Sequence, residues 1–279
     1  MIDLISKVVR RLIEMDLIGN RFLSLVNTGI SYDRHSKRIY QKVEDEKIYL
    51  ARCSHGVPSV KGRDMIEWLN KEVYFSKYMP NGNDVYVDIG SGYGHELVYV
   101  AKNSPGVTIL GIEANPEVFQ YCKASTSAFK NIRNYNLMIG DQDSYQLPFT
   151  ADYAGKGAND DGFVTCQGRK LTDILDAENI DRISLLKLNV EGGEREIIES
   201  LPHSRVDRLI ISCHDFRSER GDGAFYRTYD SVKANLISYG YSISDIRPTT
   251  VPSKEWAASL KYWIFATKEQ YSENKHGQN

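Results

Sequence analysis

The stretch Val87-Asp88-Ile89-Gly90-Ser91-Gly92-Tyr93-Gly94-His95-Glu96-Leu97, VDIGSGYGHEL, decides how the rest of the chain is read. An apolar run enters three glycines at alternate positions, and a helix-forming stretch leaves them. Glycine adopts positive φ at little cost and carries no Cβ, so main chain at such a turn approaches a ligand closely. Strand, glycine turn and helix in that order predict the first unit of an open α/β sheet. Such sheets bind ligands beyond the carboxyl ends of their strands.

Working outward, the break MPNGND at 79–84 separates this unit from what precedes it. Short β-rich runs follow at Val85–Ile89, Thr108–Glu113, Arg133–Ile139, Ile183–Asn189, Arg208–Cys213, Tyr241–Ile246 and Lys261–Ala266. Helical stretches fall between the first five, at His95–Lys102, Pro116–Ala128, Leu171–Glu178 and Glu194–Leu201. The alternation predicts a Rossmann-like α/β fold with a seven-stranded, mostly parallel sheet. The last two runs read as an antiparallel hairpin joined by a short loop, because a parallel pair needs a long crossover. Asp143–Gly168 is long and polar and reads as a loop or hairpin insertion. Residues 79–269 form the main domain on this reading, and 270–279 a disordered tail. Residues 1–78 form a helical and hairpin segment: a helix over 1–26, a hairpin over Ile39–Leu50 and a helix over Gly62–Lys77.

Composition narrows the function classes. The 279 residues are 41% hydrophobic and 26% charged, ordinary for a globular chain. A net charge of −2 provides no general attraction to nucleic acid or anionic lipid, so a nucleic-acid partner is not expected. Cys53, Cys122, Cys166 and Cys213 are far apart in sequence and form no C-x-x-C pair. Neither a disulfide framework nor a zinc site is expected, and a reducing cytoplasm is the simplest location. Lys7, Arg10, Arg11, Glu14 and Asp16 interrupt the N-terminal apolar pattern, which excludes a signal peptide or a membrane span. Its basic stripe allows membrane-surface contact, but packing on the same chain or on a second copy in an oligomer is the plainer expectation.

The glycine spacing selects the ligand. A dinucleotide fingerprint needs a third glycine where His95 stands, and a phosphate loop needs a lysine that is missing. The acid ahead of the first glycine, Asp88, disfavours a pyrophosphate and suits a ligand carrying an ammonium and a sulfonium, S-adenosyl-L-methionine. Glu113, 25 residues beyond Asp88, ends the second strand where a carboxylate accepts both ribose hydroxyls. Asn115 and Pro116 then open the next helix as cap and first turn. Asp141, just past the third strand, is placed to meet an adenine amino group. The expected cofactor residues are Asp88, Gly90, Ser91, Gly92, Tyr93, Gly94, Glu113, Ala114, Asn115, Asp141 and Asn189.

With VDIGSGYG, GIEANPE and IGD before it and LIISCHDF after it, the stretch Asp181–Leu201, DRISLLKLNVEGGEREIIESL, resembles the FkbM family of S-adenosylmethionine-dependent methyltransferases. The likeness runs from about Asn83 to Lys268 and is most specific at Lys187-Leu188-Asn189-Val190-Glu191-Gly192-Gly193-Glu194. The resemblance implies a class I methyltransferase fold and methylation of a hydroxyl on a sugar, polyketide or other secondary metabolite. The partner would then be a small-molecule or glycan acceptor. Three positions depart from the family's pattern: Thr172, Asn189 and Ser212 stand where it commonly has acids. A carboxylate metal site is therefore not expected, and the catalytic base is open. Lys187, Asn189, Glu191 and His214 are the candidate catalytic residues. His214 ends the fifth strand as the leading general base, neutral near pH 7 if its imidazole is unperturbed, with Asp215 to orient it. Glu191 and Glu194, three apart at a helix start, are expected to share a face. Tyr145 and Tyr153 on the insertion could stack on a sugar. N-methylation and a non-catalytic cofactor-binding scaffold are the competing readings.

Overall fold

The computed structural model describes residues 30–36, 38–50, 65–148 and 163–268. The expected helix over 1–26, the tip of the 143–168 insertion with Tyr153, and the tail after 269 lie outside them.

Strand β4 (Val85–Ile89) lies inside a seven-stranded sheet. On one side of it lie β5 (Thr108–Ile112) and β6 (Ile132–Tyr135). On the other lie β10 (Leu185–Leu188), β11 (Arg208–Ser212), β13 (Trp263–Lys268) and β12 (Tyr241–Ser244) at the edge. The five strands from β6 to β11 run parallel, while β13 is antiparallel to both β11 and β12. This is the class I methyltransferase fold, with the C-terminal antiparallel hairpin in place.

The inner strands are buried on both faces, and side-chain alternation decides which residues meet. Val87 and Ile89 pack in one layer with Leu110, Ile112, Leu186, Leu188, Leu209 and Ile211. Tyr86 packs in the other with Ile109, Leu185, Ile210 and Phe265. Burying each such side chain stabilises the sheet by roughly 1.5–3 kcal/mol. Helices α1 (His95–Asn103), α2 (Pro116–Thr126), α3 (Leu171–Ala177) and α4 (Glu194–Ser200) follow the expected positions to within two residues at each end. Asn115 caps α2 as expected, its Oδ1 accepting from the amides of Glu117 and Val118.

Three differences from expectation have local causes. The run Arg133–Ile139 is two strands: β6 stays in the main sheet, and β7 (Met138–Ile139) pairs with β9 (Phe163–Arg169). Strand β9 also pairs antiparallel with β8 (Ser144–Pro148), so the insertion is a hairpin. The connection between the last two strands is not a short loop. It holds α7 (Lys254–Leu260), started by Ser253, whose Oγ accepts from the Trp256 amide. Finally, α5 (Asp215–Glu219) and α6 (Tyr229–Ser238) fill the crossover after β11. Only Val232 and Leu236 are buried on α6, too sparse a stripe to announce it.

Ahead of the main sheet, β1 (Ile30–Asp33), β2 (Arg38–Val43) and β3 (Glu46–Leu50) form a small antiparallel sheet, so the expected hairpin carries one further strand. Val43, Ile48 and Leu50 pack against Val98 of α1. The helical run expected near 62–77 includes a π-helical turn over Leu69–Tyr74, in which the Phe75 amide reaches back to the Asn70 carbonyl. Insertions of this kind in helices cluster at functional sites. This run is fastened to the segment before α7: Trp68 Nε1 donates to the Thr250 carbonyl at 2.8 Å, and Glu72 accepts from the amide and hydroxyl of Thr249.

Candidate active site

The glycine turn bends back onto the neighbouring strand. Amides of Gly90 and Ser91 both donate to the Ile112 carbonyl, at 2.9 and 3.0 Å. Gly90, Gly92 and Gly94 have φ of 80°, 58° and 87°. At Gly90 an added Cβ would lie 2.0 Å from the Asn189 carbonyl, so only glycine fits. The Glu113 carboxylate closes the turn, accepting from the Gly92 amide at 2.9 Å and the Asn115 amide at 2.8 Å. Burial pushes its carboxyl above the ordinary glutamate range, although these two amides draw it down.

Beside this turn lies a cavity of about 220 Å3. Gly90, Glu113, Asn115, Asn189 and Glu191 give its lining polar groups, and Val118, Leu137, Met138 and Ile139 give it apolar ones. A carboxylate and a group of apolar side chains in one lining match a ribose with an adenine ring, while the missing Cβ at Gly90 lets the Asn189 carbonyl approach the turn. Gly90→Ala is expected to destabilise the protein by on the order of 3 kcal/mol, through strain and overlap together. It should also abolish cofactor binding, checked by urea unfolding and equilibrium titration; an unchanged midpoint and affinity would contradict this account of the turn.

Among the expected cofactor residues, Gly90, Glu113, Ala114, Asn115 and Asn189 line the cavity. Gly92 reaches it through Glu113. Ser91 is buried, with its Oγ 3.8 Å from Cys122 Sγ, and Tyr93 packs edge-on against Tyr121. Asp141 is exposed and is not among the lining residues, because the chain turns away after β7 to enter the insertion hairpin. The sequence reading overlooked the apolar slot. Leu137, Met138 and Ile139, next to Gly140, were its available signal.

Asp88 and Lys187 differ most from expectation. They are direct neighbours across the β4–β10 register, and both side chains are almost wholly buried. Lys187 Nζ lies 2.7 Å from Asp88 Oδ1, 3.3 Å from the Gly90 carbonyl and 3.8 Å from Glu96 Oε2. Its ammonium also sits over the Tyr74 ring, 5.1 Å from the centroid. Burial disfavours the charge, but Asp88 and Glu96 outweigh it and hold Lys187 well above the usual lysine range. Lys187 therefore does not face the cleft, as its place near the strand end suggested. It is an internal counter-ion beneath the glycine turn.

A second cavity, about 340 Å3, adjoins the first. Tyr74, Phe216, Trp256 and Trp263 give it aromatic walls, while Asn189, Glu191, Ser212, His214 and Ser259 supply polar groups. Asn189 and Glu191 line both cavities and so mark their boundary. The Asn189 amide nitrogen donates to Tyr74 Oη at 3.2 Å, while its Oδ1 is buried with no hydrogen-bond partner among the described residues. Buried polar atoms in that state are commonly satisfied by a ligand or water. None of the aromatic walls was legible as part of a site, since Tyr74 and Trp256 arrive from segments far from β10 in sequence, one well before it and one well after.

His214 lies between two carboxylates. Its Nδ1 is 2.6 Å from Glu194 Oε1, and its Nε2 is 3.3 Å from Glu191 Oε1. Burial alone would lower its pKa, but the two glutamates outweigh burial and push it up to about 9. The expectation of an unperturbed imidazole is thus corrected: the two glutamates favour the protonated form of His214. Asp215 does not orient it; its Oδ2 accepts from the amides of Thr228 and Tyr229 at the start of α6. Glu191 has φ of 56°, unusual for a residue with a side chain. Its Oε2 is held 2.6 Å from Arg217 Nη1. Burial raises the Glu191 carboxyl, yet His214 and Arg217 leave it below the ordinary range overall. Glu191 and Glu194 do converge, as expected, but on His214.

Fold and cavities define a class I methyltransferase whose cofactor is S-adenosyl-L-methionine. Comparison with known proteins agrees. The family model described as "Putative methyltransferase" matches residues 82–151, from the loop before β4 into the insertion. Over 221 residues the chain is 23% identical to Methyltransferase 1 of Beauveria bassiana, covering 67% of this chain and 85% of that protein. A 58-residue stretch is 40% identical to the tRNA (guanine-N(7)-)-methyltransferase of Campylobacter jejuni, but this covers 20% of the chain and 14% of that enzyme. The precorrin-6y C5,15-methyltransferase of Geobacter metallireducens aligns over 78% of this chain and 94% of its own, with 12% identity and a TM-score of 0.40. The family model and the Beauveria relative support an S-adenosylmethionine-dependent methyltransferase. Among the described residues no helix is long and apolar enough to cross a membrane.

Proposed function

We propose that the protein methylates a hydroxyl on a sugar, glycan or other secondary metabolite, with His214 receiving the hydroxyl proton. The observation that carries the reading is the shared boundary: Asn189 and Glu191 line both the cofactor cavity and the aromatic, polar one beside it, where His214 lies. Aromatic walls alternating with Asn, Glu, His and Ser suit a ring with several hydroxyls, whose apolar face stacks while its edges hydrogen-bond. The segment over residues 65–78 acts as part of the acceptor's cover, a role supported by Leu69 and Tyr74 in the lining.

When bound, S-adenosylmethionine supplies a methyl group already activated on a sulfonium. The chain's own residues do the rest. Gly90, Glu113 and Asn115 hold the nucleoside, Asn189 and Glu191 set the boundary across which the acceptor oxygen is aligned, and the aromatic walls exclude water. The buried Lys187–Asp88 pair keeps the turn in shape.

The test is incubation of the protein with methyl-labelled cofactor and a panel of hydroxylated sugars, glycosides and polyketides, with matched amines as the comparison. Label recovered in an ether is expected, and label recovered only on nitrogen would overturn the assignment. The pH dependence follows from His214. Below about 9 it carries its proton and cannot take another, so kcat/KM should rise with pH and level off above about 9. A profile flat from about pH 6 to 10 would exclude His214 as the base.

A further inference from the structure

On the sequence, Glu194 is expected only to share a face with Glu191 at a helix start. Its surroundings are more specific. The side chain is fully buried at the start of α4. Its Oε1 accepts from the Gly192 amide at 3.0 Å and meets His214 Nδ1 at 2.6 Å, and its Oε2 accepts from Thr228 Oγ1 at 2.9 Å. Both oxygens are thus fixed by groups from three different segments, and the imidazole is held by its inner nitrogen. The outer nitrogen, Nε2, faces Glu191, whose side chain is 39% exposed and lines the second cavity.

From this arrangement we infer that Glu194 is a positioning residue for methyl transfer: it ties the proton to His214 Nδ1 and leaves Nε2 as the atom that accepts the acceptor's proton. The inference rests on the reading of His214 as the proton acceptor. A carboxylate bonded to one imidazole nitrogen fixes the tautomer and the ring orientation. In the transfer step the acceptor O–H gives its proton to Nε2, and the oxygen's electron pair forms the new O–C bond. The C–S bond breaks with its pair staying on sulfur, giving an ether and S-adenosylhomocysteine. His214 then returns the proton to solvent.

The charged groups around the ring are Glu191 on the turn after β10, Glu194 on α4, and Arg217 on α5, which reaches the ring through Glu191. Asp215 and Asp222 are engaged elsewhere, on the α6 amides and on Arg217 respectively. Glu194 is therefore the carboxylate whose charge is committed to the ring.

Two measurements on the full chain test this. In Glu194→Gln the rising limb of kcat/KM should move to lower pH by about one unit or more, because one adjacent negative charge is gone. Thr228→Val, which removes a donor from Glu194, should move it the other way. Loss of activity with no displacement of the limb in either folded variant would reduce Glu194 to a packing role and overturn the inference. The second measurement needs no turnover and serves even if Glu194→Gln does not fold. Nitrogen-15 spectra of the unsubstituted protein above pH 9, with the His214 signals identified by their loss in His214→Gln, should show the proton on Nδ1. A proton on Nε2 would overturn the inference while leaving methyl transfer intact. Absence of transfer to every hydroxyl acceptor, with the Nδ1 tautomer observed, would instead remove the proposed function.

Discussion

Lys187→Met is expected to cost about 3–5 kcal/mol of folding stability, seen as a large fall in the urea midpoint with little change in slope. The side chain is 2% exposed and its partner Asp88 is wholly buried, so removing the ammonium leaves Asp88 without its counter-ion in the sheet, with Glu96 close by. A surface lysine changed in the same way would move stability by well under about 1 kcal/mol. Replacing both partners, Lys187→Met with Asp88→Leu, should restore much of the loss, since a well-packed apolar pair substitutes for a buried ion pair. Because Lys187 also touches the Gly90 carbonyl, the single variant should weaken cofactor binding as well. A single variant as stable as the parent would show that the pair is not the internal support of the glycine turn.

His214→Gln should lower kcat by about 10²–10⁴, the usual contribution of a positioned acid–base group. Its affinity for S-adenosylhomocysteine should change little, because His214 lines the second cavity and not the first. Glutamine can still bond to Glu194 and Glu191, so the fold should tolerate the change. Stopped turnover with intact cofactor binding places the defect in proton transfer. Equal loss of both would place His214 in the cofactor site instead.

Much of the frame was legible because it depends on local pattern. Strands β4, β5, β10 and β11 are near-continuous apolar runs ending at Gly, Glu, Asn and Ser-Cys-His, and parallel strands buried on both faces read that way. The glycine turn and Glu113 were legible because backbone reach and a strand-end carboxylate leave direct traces in sequence. What escaped the reading depends on contacts between distant residues. Asp88 and Lys187 are 99 positions apart, and only the strand register makes them neighbours. The state of His214 depends on Glu191 and Glu194 meeting it from another strand's turn, so an unperturbed value was the only one sequence could suggest. Asp141 was misplaced because the third strand breaks after Tyr135 and leaves the main sheet. Helix α7, which carries Trp256 and Ser259 to the second cavity, is seven residues long, too short for a clear apolar stripe, although Pro252-Ser253 is a readable start.

The central claim is that the cavity between the Gly90 turn and Glu113 holds the nucleoside of S-adenosylmethionine. Calorimetric titration of the full chain with S-adenosylhomocysteine tests it most directly, with circular dichroism on the same sample to establish folding. One molecule bound per chain, with the heat greatly reduced in Glu113→Ala, is the predicted result. A folded protein that gives no binding heat at several temperatures would contradict it.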